Sequence, residues 1–117
     1  MKLYKGTIIQ ESLIDDRILN EFRFLEFRVT NKEKPEERWH LFTVEATETV
    51  IEKLSKYIKP ENWYAHFWNG DNIIAIFSNK VFHFKFSDKS SWKEAVEYGK
   101  SIGIPVGQLD FLIDELQ

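Results

Sequence analysis

The segment Trp63–Phe86, WYAHFWNGDNIIAIFSNKVFHFKF, constrains this chain more than any other. Three runs rich in aromatic and β-branched residues, Trp63–Trp68, Ile73–Phe77 and Val81–Phe86, are separated by short turn signals. That pattern predicts three consecutive antiparallel strands. The runs are too short for helices, and no 3.6-residue stripe crosses the turns. The first turn, Asn69-Gly70-Asp71-Asn72, is rich in residues that tolerate a positive φ.

With Asn79-Lys80 as the second loop, Phe77 faces Phe82, Ala75 faces Phe84 and Ile73 faces Phe86. Side chains alternate along a strand, so these six share one face, which becomes the predicted core. The opposite face carries Ile74, Ile76, Val81, His83 and Lys85. The first hairpin admits two registers. A two- or four-residue loop places Tyr64, His66 and Trp68 on the core face. A three-residue loop with a bulge at Gly70 places Trp63, Ala65 and Phe67 there. The bulged form is preferred, because it buries Phe67 and leaves the titratable His66 outside.

The remaining elements follow from local signals. Leu3–Glu11 reads as a strand, with Gly6 marking a bulge or a close backbone approach. Ser12 to Asn20 reads as one or two helical turns capped by Ser12. Glu21–Thr30 is a second strand, with Leu25, Phe27 and Val29 on one face and Phe24, Glu26 and Arg28 on the other. Arg38–Glu45 is a third. Thr47 or Thr49 caps a helix whose stripe is Val50, Ile51, Leu54, Tyr57 and Ile58, and Pro60 ends it. Ser90 or Ser91 caps a second helix with the stripe Trp92, Ala95, Val96, Gly99 and Ile102. Gly103 is placed to terminate it. Leu109, Leu112 and Leu116 space a short helix over Val106–Leu116. A strand histidine precedes each capped helix, His40 and His83, so the two halves echo each other at an offset of about 43 residues.

The expected fold is therefore α+β: about six mostly antiparallel strands, two main helices packed on one face and a short C-terminal helix. A length of 117 residues suits one domain, 1–117. The 43% hydrophobic and 15% aromatic content supports a packed core rather than disorder. No apolar run approaches the ~20 residues of a membrane span. Lys5, Gly6 and Gln10 interrupt the N-terminus, which does not read as a signal peptide, so a cytoplasmic location is expected.

Function is less constrained. A net charge of −3 with interspersed signs disfavours nucleic-acid binding. With no cysteine, thiol nucleophiles and thiolate metal ligands are excluded. His40, His66 and His83 fall on separate strands, and without H-x-H or HExxH spacing no metal site is expected of them. No catalytic residue and no cofactor motif is legible. The candidate ligand or partner surface is Tyr64, His66, Trp68, Ile76 and His83, where aromatic area and polar handles gather in the preferred register. The reading is a non-enzymatic binding or protein-interaction domain, self-associating through an aromatic sheet face or a sheet edge. Its rival is a small ligand-binding protein or enzyme with a His/aromatic pocket on that face.

Overall fold

The computed structural model describes residues 2–111. Six strands form a single antiparallel sheet: β1 (Tyr4–Ile9), β2 (Arg23–Val29), β3 (His40–Ala46), β4 (Ala65–Asn69), β5 (Asn72–Phe77) and β6 (Lys80–Lys85). Their order across the sheet is β2-β3-β1-β4-β5-β6. The expected α+β class with six antiparallel strands and two main helices is what the chain adopts. The central β1–β4 pairing ties the N-terminal three strands to the C-terminal meander. The halves are not copies in topology. In the first, β3 lies in the middle, between β1 and β2, whereas in the second β5 separates β4 from β6.

Both hairpins of the meander differ in detail from expectation. Asn69 pairs with Asn72, so the first loop is the two-residue Gly70-Asp71, with Gly70 at φ 56°. No bulge intervenes, and Trp68 faces Ile73 while His66 faces Ala75. In the second, Phe77 pairs with Lys80, making Ser78-Asn79 the loop, with Asn79 at φ 59°. Asparagine tolerates that left-handed conformation better than most residues. The register has slipped by two residues, so Ile73 faces Phe84 and Ala75 faces Phe82. A two-residue slip keeps every side chain on its predicted face.

The sheet carries a core on each side. On one side, Ile73, Ala75, Phe77 and Phe84 pack with Trp92, Ala95, Ile104, Leu109 and Phe111. On the other, Ile74, Ile76, Phe67, Ile8 and Val44 pack with Ile18, Leu19, Phe22, Ile51, Leu54 and Ile58. Helix α1 (Glu48–Lys53) covers the second side and helix α2 (Lys93–Ser101) the first. The expectation that both helices share one face is thus corrected. Each helical stripe specifies that a helix buries a face, but not which side of the sheet receives it.

Of the two predicted stripes, Ile51, Leu54, Ile58, Trp92, Ala95 and Gly99 are buried and Val50, Tyr57, Val96 and Ile102 partly so, while the cap bonds differ from expectation. Thr47 occupies the N-cap of α1 without a side-chain cap bond. A 3-10 turn, Lys89–Trp92, leads into α2, and Asp88 caps it by accepting from the Ser90 N–H. Asp15, not Ser12, caps the 3-10 segment Asp16–Glu21. Helix α2 ends as predicted. Gly103 adopts φ 98°, its N–H donates to Lys100 O, and Ile104 N–H donates to Gly99 O. These two bonds make a Schellman motif. Of the expected terminal helix, Val106–Gln108 is a 3-10 turn and Leu109 is buried; Leu112 and Leu116 lie outside the described residues. Among the described residues, no helix is long and apolar enough to cross a membrane.

Candidate interaction surface

The five residues singled out from sequence do not form one surface. Tyr64, His66 and Trp68 lie on the Phe77 side of the sheet, and Ile76 and His83 on the other. Phe111 closes the first group: its ring meets Tyr64 and His66 edge-on at 5.5 and 5.7 Å. Trp68 is only 3% exposed, and its Nε1 is buried without a hydrogen-bond partner among the described residues. The Tyr64 hydroxyl donates to the Gln108 carbonyl. Burial, reinforced by the charge of Asp110, pushes the Tyr64 hydroxyl above its ordinary range. This side is therefore a second packed layer around those three residues.

On the other side, Ile76 is fully buried, and the exposed His83 meets Glu52 with Nε2 3.2 Å from Oε2. Glu48 and Glu52, one helical turn apart on α1, bring donor atoms within 4.8 Å of each other and of His83. A divalent cation could be held there. All three groups are exposed, and such surface groupings are common without a metal.

The feature that stands out is strand β2. It is one edge of the sheet, and both its faces reach solvent. Phe24 is 50% exposed, Leu25 44% and Phe27 54%. A register shift between Phe24 and Glu26 changes the alternation read from sequence. Phe24 pairs with Val44 and Phe27 with Phe42, so both phenylalanines lie on the same face. Their rings contact Phe42 at 5.2 and 4.9 Å, and Phe27 stacks on His40 at 6.1 Å. The result is an aromatic surface that continues the Val44 core outward along β3 into solvent. Trp39, just before β3, is also exposed and packs against Trp63 at 5.4 Å. Isolated exposed hydrophobic residues are ordinary, whereas Phe24, Phe27 and Phe42 form one contiguous group on and beside an edge strand.

The rim of this surface is polar and held in place. Glu11 Oε1 accepts from the His40 backbone N–H at 2.8 Å, and Glu11 Oε2 lies 2.6 Å from His40 Nδ1. Partial burial works to raise the Glu11 carboxyl, but the two His40 hydrogen bonds, a bond from its own backbone N–H and the charge of His40 together outweigh it and hold the group below its ordinary value. Beyond His40 an open cleft of about 720 Å³ is lined by Gln10, Glu11, Leu13, Ile14, Asp15 and Asp16. Arg17 forks onto Asp15 at 2.6–3.2 Å and brings its carboxyl down to about 2.

The opposite edge is different. Strand β6 has lysines at both ends, Lys80 and Lys85. At Lys85, the backbone N–H donates to Ser91 Oγ at 3.1 Å, and the carbonyl accepts from Trp92 Nε1 at 2.8 Å. Flanking lysines and occupied peptide groups are how natural sheets discourage edge pairing. Strand β2 has charges on one face only, and among the described residues nothing but β3 bonds to the peptide groups of its regular portion, Glu26–Val29. Neither a family model, nor a curated protein, nor a solved structure matches this chain.

Proposed function

We propose that this chain is a non-enzymatic protein-interaction domain that self-associates, and that β2 with the Phe24–Phe27–Phe42 face is the surface it uses. One observation carries the reading: an edge strand whose aromatic face is more than half exposed at Phe27, in a sheet whose other edge is obstructed at Lys85. Adding a strand to such an edge satisfies its peptide groups, and the flanking side chains supply specificity. The aromatic rings contribute large apolar area at little conformational cost. The reading is favoured over a pocket at Tyr64, His66 and Trp68, because Phe111 and the neighbouring core already fill the space in front of those residues.

Sedimentation velocity over a range of concentrations tests it. The wild-type chain is expected to associate, and Phe27→Asp to weaken association by at least about tenfold while circular dichroism shows the fold retained. A wild-type chain that stays monomeric up to high micromolar concentration contradicts the proposal.

A further inference from the structure

Two copies could meet through β2 in different ways. β2 of one copy could pair with β6 of the next, a head-to-tail contact that leaves an edge free at each end and grows into open chains. Alternatively, β2 could pair with β2, which closes after two copies. The inference that follows rests on the proposal that β2 is the association surface, and concerns what occupies it. We infer that the occupant is β2 of a second copy, paired antiparallel about a two-fold axis through Phe27.

The two edges are not equivalent. The groups at Lys85 on β6 are taken by Ser91 and Trp92, and both ends of that strand carry lysine. A β2–β6 pairing would meet those obstructions at every contact, whereas a β2–β2 pairing meets none of them.

Symmetry and charge then select the register. A two-fold axis that sets the same strand antiparallel to itself stands perpendicular to the sheet, so opposed residues come from the same face. Along the regular segment Glu26–Val29, the axis must therefore pass through a residue. Through Glu26 it sets two carboxylates opposite each other, and through Arg28 two guanidinium groups; like charges directly opposed destabilise a strand pair. Through Val29 it moves Phe27 against Asn31, at the start of the charged loop. Through Phe27 it sets Phe27 against Phe27, and Glu26 against Arg28 twice over.

The single-chain structure already fits that arrangement. Glu26 and Arg28 share the face of Thr43 and Leu41, opposite the aromatic face. Arg23 is paired with Glu45 at 3.3 Å, but neither Glu26 nor Arg28 has an ion-pair partner among the described residues. The strand presents one acid and one base, both unpaired and two positions apart, which is the spacing this register makes complementary. On the other face, the Phe27 rings of the two copies join the two Phe42-backed aromatic groups into one apolar strip.

Charge reversal provides the test. Glu26→Arg makes positions 26 and 28 both basic, and Arg28→Glu makes both acidic. In this register each variant alone faces like charges twice, and its dimerisation is expected to weaken about tenfold. An equimolar mixture of the two variants places Arg against Glu at both pairs, and is expected to dimerise about as tightly as wild type. The double variant E26R/R28E is expected to do the same. No species larger than a dimer should grow in with concentration. If the mixture is no tighter than its components, or if association continues beyond the dimer, the two-fold register is wrong. If Phe27→Asp abolishes association while all charge variants behave as wild type, the β2 surface stands and the register falls. A wild-type monomer at every concentration removes both.

Discussion

The ring of Phe67 occupies the space that a side chain on Gly6 would need. The two residues are paired across β1 and β4, and a Cβ on Gly6 would lie 2.5 Å from Phe67 Cδ2 and 2.5 Å from the His66 carbonyl oxygen. Phe67 is fully buried and stacks against Phe22 at 6.1 Å, so its ring has nowhere to withdraw. The joint between the halves of the sheet therefore depends on glycine for close approach, not for a left-handed backbone. Gly6→Ala is expected to destabilise the domain by about 1–3 kcal/mol, read from urea unfolding. An unchanged midpoint would mean that β1 and β4 are not so closely apposed.

Phe84 anchors the layer beneath α2. Its ring meets Phe111 at 5.0 Å and Trp92 at 5.9 Å, and it is almost wholly buried. Phe84→Ala removes those contacts and leaves a cavity, with an expected cost of about 3–5 kcal/mol. Phe82→Ala, on the same face but only partly buried, is expected to cost less. Chemical denaturation of the two variants side by side checks the order.

Glu11 gives the fold a pH dependence with a definite sign. The folded protein holds this carboxyl below its ordinary value, so its ionised form adds stability at pH above that value. That contribution is lost as pH falls through the lowered value. Glu11→Gln keeps an acceptor for the His40 N–H but cannot ionise. It is expected to cost about 0.5–1 kcal/mol at neutral pH, discounted for solvent exposure, and to flatten the acid limb of the stability curve. Melting temperatures of both proteins between pH 3 and 7 show whether the curves converge in acid, as expected, or stay parallel.

What was legible in the sequence was set by short-range periodicity. The alternation Ile73, Ala75, Phe77 and the pair Phe82, Phe84 fixed a shared face that survives the true register, because the error was two residues and not one. The stripes of Ile51, Leu54 and Ile58, and of Trp92 and Ala95, are likewise buried as read. Non-local arrangements were not legible. Choosing the loop at Gly70 by asking which face buries Phe67 fails when both faces are cores, and here they are. Phe24, Phe27 and Phe42 were missed as a surface for a related reason. An alternating apolar strand looks the same at the edge of a sheet as in its middle, and only the strand order puts β2 outermost. The shift between Phe24 and Glu26, which brings the two phenylalanines to one face, has no glycine or proline to announce it.

The claim that β2 is where copies of this chain meet is tested most directly by amide hydrogen exchange measured at low and high protein concentration. Amides of β2, Arg23–Val29, are expected to gain protection as concentration rises, while those of β6, Lys80–Lys85, exchange at the same rate throughout. Protection that rises at β6, or association with no change at β2, would contradict the account.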